Sequence, residues 1–238
     1  MKVGIVGLGN FGKAVQKLIT SKGYNVSVYL KNASVYDCDL LFICVKPSNY
    51  LEVCKKINNT TTIISCGAGV SLDYLETQLT TRNIIRCMGS IPIKLNDMYS
   101  ETGTIIFKKN SHISDSQVQK FKNLVKGPYM LEVQDEKLID VSTILSGSMP
   151  AIISYFSEEF VQFGVNNGFT PDQSRELYLS TLRGTVQMLE TESTQSIIEQ
   201  VSSPKGVTQK CLAELNKLNV KIQKSLSSAL DQLNHKKD

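Results

Sequence analysis

The apolar positions of this chain follow one rhythm up to about residue 134 and another after it. In the first stretch, short apolar runs alternate with segments whose apolar residues recur every three or four positions. KVGIV (2–6), NVSVYL (25–30), DLLFICVKP (39–47), residues 62–66, NIIRCM (83–88), TGTIIF (102–107) and YMLEV (129–133) predict strands, the third stopped by Pro47. Between them, KAVQKLITSKG carries Val15, Leu18 and Ile19 at helical spacing and ends on Gly23, a stop signal. Further helices are predicted near 48–57, over SLDYLETQL with Ser71 as N-cap, and over DSQVQKFKNLVK. Strand alternating with helix over short links predicts a parallel sheet with helices on both faces.

From residue 135 the strand signals nearly vanish. Helical patterns run over 136–145, 149–167, 171–191 and 207–235, broken at GFTPDQ and SSPKG. The expected architecture is α/β: a Rossmann-type parallel-sheet domain over 1–134, shortened as argued below, followed by an all-helical domain over 135–238. A bundle that small has a marginal core of its own. Its surplus of apolar residues predicts burial against a second copy, as a homodimer or a larger homo-oligomer.

Composition narrows the function. The 238 residues are 41% hydrophobic and 20% charged, with a formal net charge of +4, as in an ordinary globular protein. No dense Lys/Arg block precedes the tail HKKD, so nucleic acid is not an expected partner. The start, MKVGIVGLGN, is too short to span a membrane and lacks the pattern of a signal peptide, which predicts no membrane association and a cytoplasmic location. The six cysteines form no CxxC pair and no Cys/His group with zinc spacing, so no metal site is expected. Cys44, Cys66 and Cys87 lie in or at the end of apolar runs and read as small buried hydrophobes. A redox or metal cluster where neighbouring strands end is the alternative reading.

The candidate chemistry begins at GLGNFG, where Gly7, Leu8, Gly9, Asn10, Phe11 and Gly12 follow a strand and open a helix. In that context Gly7 permits a tight turn, Gly9 lets backbone approach a pyrophosphate, and Gly12 allows close helix–strand packing. The helix N-terminus then offers free N–H groups to phosphate. NAD-binding sheets usually carry an acid after the second strand to hold the ribose 2′-OH. Here that place has Lys31 and Asn32. A cation there suits the 2′-phosphate of NADPH, with NADH as the alternative cofactor. Too few residues separate the second and third strands for a further helix and strand, so a βαβ unit is missing from the lobe.

Near the other end, VSSPKGVTQ (201–209) gathers hydroxyls, a proline, a lysine and a glycine between helical segments, with no histidine, acid or cysteine close by. The chain resembles the pyrroline-5-carboxylate reductases over nearly its whole length. The resemblance rests on GIVGLGNFGKAV, FICVKP, IISCGAGV, RCMGSIP, LSGSMPA and VSSPKGVT, in that order. It implies NADPH-dependent reduction of a cyclic imine to proline. Cys44, Val45, Lys46 and Pro47, with Ala68 and Gly69, would line the nicotinamide half of the cofactor site. The helical domain would interlock with its twin. Ser202, Ser203, Lys205, Gly206 and Val207 would receive the substrate carboxylate. Thr208 would hydrogen-bond near the imine nitrogen, and Glu192 would match an acid near the substrate pocket.

An absent acid or base fits such chemistry. A ketone needs a proton delivered as its alkoxide develops, whereas a cyclic imine can arrive protonated. Orientation and hydrogen bonds then suffice. Of the two histidines, His112 begins a surface helix and His235 lies in the basic tail, so neither is a catalytic candidate. The chain departs from the family pattern at Lys205 and Met149, where glycine is usual, and at Ser90, where asparagine is usual. Reduction of a different cyclic imine, or nucleotide binding in a non-catalytic regulatory role, are the alternative functions.

Overall fold

The structure, a computed structural model, describes residues 1–30, 33–98 and 101–234. In chain order the elements are β1 (Val3–Val6), α1 (Asn10–Thr20), β2 (Val26–Tyr29), β3 (Leu40–Ile43), α2 (Tyr50–Cys54), β4 (Thr62–Ser65), α3 (Leu72–Gln78), β5 (Ile84–Gly89), β6 (Thr104–Lys109), α4 (Asp115–Leu124) and β7 (Tyr129–Glu132). They continue with α5 (Lys137–Ser142), a π-helical turn at Thr143–Ser148, α6 (Met149–Asn166), α7 (Pro171–Leu189), α8 (Thr194–Val201), α9 (Val207–Leu215) and α10 (Asn219–Asn234). Contacts divide the chain into two compact units, one of residues 1–150 with 229–238 and one of residues 151–228.

In the first unit, the described residues form a seven-stranded sheet in the order β2-β1-β3-β4-β5-β6-β7. Fully buried β-branched and leucine residues fill the central strands because helices cover both faces. One face packs Ile5, Phe42, Ile64, Ile85 and Phe107 against α1 and α4, where Leu18, Ile19 and Phe121 are fully buried. The other packs Leu41, Ile43, Ile63 and Ile84 against α2 and α3. Ser71 caps α3, its hydroxyl accepting from the Tyr74 N–H at 3.1 Å, as its sequence position predicts.

The sheet is parallel as expected except at one pairing, where β6 runs antiparallel to β5. A parallel neighbour needs a crossover, usually a helix. The link from Gly89 to Thr104 holds only the short 3-10 turn Ile91–Leu95 among its described residues, so the strand returns in the opposite sense. Among its described residues the link from β2 to β3 holds one isolated bridge, Tyr36 to Ile57, and no helix or strand. The Tyr36 side chain is buried there.

The change of character at residue 135 precedes the break in contacts because α5 belongs with the sheet. Arg86 of β5 is fully buried and paired with Glu136 at 2.6 Å and Asp140 at 2.5 Å. Glu136 also accepts the first N–H of α3, from Leu72, at 2.9 Å. The gap between the predicted helical stretches 136–145 and 149–167 is bridged by the π-helical turn, so helix runs from α5 into α6.

In the second unit α6 and α7 pack as a pair. The Ser174 hydroxyl donates to the Val161 carbonyl at 2.7 Å, and the Phe160 and Tyr178 rings stack at 5.7 Å. A Cβ on Gly164 would lie 2.1 Å from the Ser174 hydroxyl oxygen, so the close approach requires glycine. α8 was not expected from the sequence. None of the α6 residues is fully buried within the chain. Phe163 is 71% exposed, Tyr155 66% and Phe160 55%.

Candidate active site

The glycine-rich turn leaves β1 and enters α1. Gly7 has φ +94°, in the left-handed region that favours glycine. A Cβ there would lie 2.7 Å from the Cys44 carbonyl carbon and oxygen. One on Gly12 would lie 2.0 Å from the Gly7 carbonyl oxygen, so the first turn of α1 sits hard against the loop. At Gly9 a Cβ would meet nothing within 4 Å. Gly9 caps α1 without any side-chain hydrogen bond, and no acid occupies the first turn. The turn therefore combines open space, free N–H groups and a positive helix end, which together suit phosphate.

Beside this turn lies an apolar cavity of about 260 Å3, lined by residues that include Val28, Tyr29, Tyr36, Val53 and Glu52. It lies off the ends of β1 and β2. Leu8 and Leu30 also border it and are exposed. Lys31 and Asn32 lie outside the described residues.

The remaining residues expected around the cofactor sit where β3 and β4 end. Cys44 follows β3, its N–H donating to the Val6 carbonyl at 2.8 Å. Val45 borders the cavity, Lys46 is exposed, and Pro47 begins a 3-10 turn. Gly69 takes φ +76°, and Ala68 packs on Met88, Ile106, Val133 and Ile139. Phe11 lies against Gly89, where a Cβ would come within 2.8 Å of its ring.

Two arrangements here escaped the sequence reading. Tyr50 is fully buried and joins two strand ends, donating to the Ile43 carbonyl at 3.0 Å and accepting from the Ser65 hydroxyl at 3.1 Å. Its phenol is held well above its ordinary pKa, chiefly by burial. At the end of β5, Ser90 accepts the Thr104 N–H at 3.0 Å, and the Thr104 hydroxyl bonds both Ser90 and Ser146. This hydroxyl cluster joins RCMGSIP to LSGSMPA, with Ser146 and Gly147 on the π-helical turn and Met149 at the start of α6. Only the motifs themselves hinted at it, because its members come from three separate elements.

The loop of the second unit connects α8 to α9. Its Ser202 hydroxyl is buried without a hydrogen-bond partner. Gly206 caps α9 with no side-chain bond, and a Cβ on it would lie 2.4 Å from the Ser203 hydroxyl. Lys205 is exposed and holds φ +61°, a conformation natural to the glycine usual in the family pattern. Its N–H donates to the Gln209 side-chain oxygen at 2.7 Å. Val207 is exposed and Thr208 half-buried in the first turn of α9. Glu192 follows α7, and its carboxylate accepts from Ser196 at 3.0 Å and from Gln200, two side chains of α8. An unpartnered buried hydroxyl beside an uncapped helix start suits a small carboxylate.

A glycine turn opening onto an uncapped helix at the carboxyl edge of a parallel sheet is the architecture of dinucleotide-dependent oxidoreductases. A family profile described as pyrroline-5-carboxylate reductase dimerisation matches residues 136–237. Pyrroline-5-carboxylate reductase 3 of Xenopus laevis is 30% identical over 190 residues, covering 77% of this chain and 68% of that one. The Aquifex aeolicus pyrroline-5-carboxylate reductase is 28% identical over 233 residues, covering 87% and 86%. The Plasmodium falciparum pyrroline carboxylate reductase, solved with NADP bound, shares the fold with a TM-score of 0.88. It is 22% identical, and the match covers 100% of this chain and 98% of that one. The chain belongs to the pyrroline-5-carboxylate reductase family. It is an oxidoreductase of the kind that works with a nicotinamide cofactor, and its helical part is a dimerisation domain.

Proposed function

We propose that this protein reduces 1-pyrroline-5-carboxylate to proline with NADPH, as a homodimer. The observation that carries the reading is the Ser202–Thr208 turn, which offers a buried, unpartnered hydroxyl and the free N–H groups of α9 without a histidine, carboxylate or cysteine. Ser202, Ser203, Gly206 and Val207 bind the substrate carboxylate, and the Lys205 cation adds to its attraction. Thr208 hydrogen-bonds at the ring nitrogen and orients the imine, and Glu192 holds Ser196 and Gln200 behind the loop. Orientation and charge-assisted hydrogen bonds are the chain's contribution to rate, because a protonated imine needs no proton at the moment of reduction. The cofactor, when bound, supplies the hydride.

The turn from Gly7 through Leu8, Gly9, Asn10 and Phe11 to Gly12 holds the pyrophosphate. Lys31 and Asn32 take the 2′-phosphate, which favours NADPH over NADH. Cys44, Val45, Lys46, Pro47, Ala68 and Gly69 border the nicotinamide half. Functionally, residues 1–134 serve the nucleotide and residues 135–238 serve dimerisation and substrate. The run Lys137–Asn166 is long and apolar enough to cross a membrane by length and composition. A second copy accounts for the same apolar surface.

Steady-state oxidation of NADPH in the presence of pyrroline-5-carboxylate tests the reading. Turnover with proline as product is expected. Turnover only with a different cyclic imine would move the substrate, and a nucleotide-induced rise in melting temperature without turnover would replace the enzyme by a binding protein.

A further inference from the structure

Three cysteines stand in one row across the sheet. β3 and β4 pair in parallel with Ile43 opposite Ser65, and β4 and β5 with Ser65 opposite Arg86. One residue on, the same register sets Cys44 beside Cys66 and Cys66 beside Cys87. All three side chains belong to the face packed under α1 and α4. The register makes the three thiols neighbours, and the Cys66 thiol donates to the Ile64 carbonyl at 3.7 Å. Its pKa is held well above the ordinary value, first by hydrogen bonding to Cys44 and Cys87 and then by burial. Cys87 is 3% exposed, while Cys44 and Cys66 are only partly buried. Among the described residues no group of His, Cys, Asp or Glu is arranged to hold a metal ion. A straight row gives the reason, because strands about 4.8 Å apart set the outer two thiols roughly twice that distance from each other. Neighbours in the row, by contrast, are within the Cα separation of a disulfide, about 4.4–6.8 Å.

We propose that Cys44 and Cys66 form a reversible oxidation site under the glycine turn, and that closing it weakens nucleotide binding. The nucleotide half of this inference rests on the reading of Gly7–Gly12 given above. With hydrogen peroxide as oxidant, Cys44, the thiol beside the turn, is oxidised first to a sulfenic acid with release of one water. Cys66 then gives up its proton and attacks that sulfur as thiolate; the S–S bond forms, the S–O bond breaks, and the departing hydroxide takes up that proton as a second water. Two S–H bonds and one O–O bond break in total, and the two electrons pass to the peroxide. The Cys44 backbone is the wall against which Gly7 turns, and its Cβ would lie 3.2 Å from a Cβ on Gly12. Drawing Cys44 toward Cys66 therefore shifts the support of the phosphate turn. Dithiothreitol reverses the change.

The test treats the reduced full-length protein with a small excess of hydrogen peroxide. Remaining thiols are then blocked with iodoacetamide, and the protein is digested with trypsin and chymotrypsin for mass spectrometry. A peptide pair linked through Cys44 and Cys66 is expected. NADPH affinity, followed by nicotinamide fluorescence, should fall at least tenfold on oxidation and recover with dithiothreitol, while Cys66→Ser should keep its affinity under the same oxidant. Absence of the Cys44–Cys66 linkage in the wild-type digest overturns the site, whatever the nucleotide result. A linked protein with unchanged NADPH affinity overturns the coupling to binding. If reduced protein binds no NADPH while the linkage forms, the nucleotide reading fails and the oxidation site stands.

Discussion

Arg86 on β5 and Asp140 on α5 meet at 2.5 Å with both side chains buried, which ties the helix after the sheet to its middle. A buried charge that loses its partner costs about 3–5 kcal/mol. Asp140→Ala should therefore lower unfolding stability by about 3 kcal/mol. Glu136 is more exposed, so Glu136→Ala should cost less. Urea unfolding of the three proteins measures the order, and equal midpoints for Asp140→Ala and wild type would exclude a structural role for the pair.

Gly9 and Gly12 separate binding from packing. Space is open at Gly9 and its backbone is extended, so Gly9→Ala should leave the melting temperature unchanged. If the turn holds the pyrophosphate as proposed, the new methyl would occupy its approach, and NADPH affinity should fall at least tenfold, or about 1.4 kcal/mol. Gly12→Ala collides with the Gly7 carbonyl and should lose both stability and affinity. Fluorescence titration beside thermal melts distinguishes the two.

Thr208→Ala should cut kcat/KM by roughly ten- to a hundredfold, from a charge-assisted hydrogen bond of about 1.5–3 kcal/mol, with NADPH binding unchanged. Lys205→Gly acts differently. It relaxes a left-handed backbone and should raise stability by about 1 kcal/mol. It should also raise KM severalfold as an exposed ion pair of about 1 kcal/mol is lost, the rise shrinking at high salt. A KM that stays constant at every ionic strength would take Lys205 out of the substrate site.

Phe163 is 71% exposed on a helix with no fully buried residue. Phe163→Glu should convert the dimer to monomer at micromolar concentration, as read by light scattering. A wild-type monomer would remove the interlocked arrangement altogether.

Burial pushes the Cys38 and Cys54 thiols from an ordinary 9.0 up to about 11. Between those values the unfolded chain has released protons that the folded chain still holds, so stability falls as pH rises. Urea midpoints should be level near pH 8 and decline from pH 9 toward 11. Cys54→Ser should flatten the decline.

The strands and the glycine turn were legible because burial on both faces writes continuous β-branched runs, and the turn's chemistry is local. The direction of β6 was not, since TGTIIF reads the same in either sense and only the link before it decides. α8 escaped because TQSIIEQV is short and its paired isoleucines also suit a strand. The Ser193 cap, accepting from the Ser196 N–H at 3.2 Å, was its one helical signal. Arg86 is a lone charge inside NIIRCM, a signal the strand reading passed over, and its two acids lie some fifty residues on and share no local pattern with it. The Ser90–Thr104–Ser146 cluster and the cysteine row required the register of the sheet.

β2 and β3 flank β1, and from β4 onward each strand joins the edge left by the strand before it. The sheet can thus grow outward in the order of synthesis, with no strand waiting for a later one to be inserted beside it. Arg86 enters that sheet well before Asp140 exists. On a nascent chain its guanidinium must stay hydrated on an uncovered sheet face until α5 emerges. Docking of α5 then takes both charges out of water together, so a chain ending before residue 140 would leave Arg86 without its most buried partner.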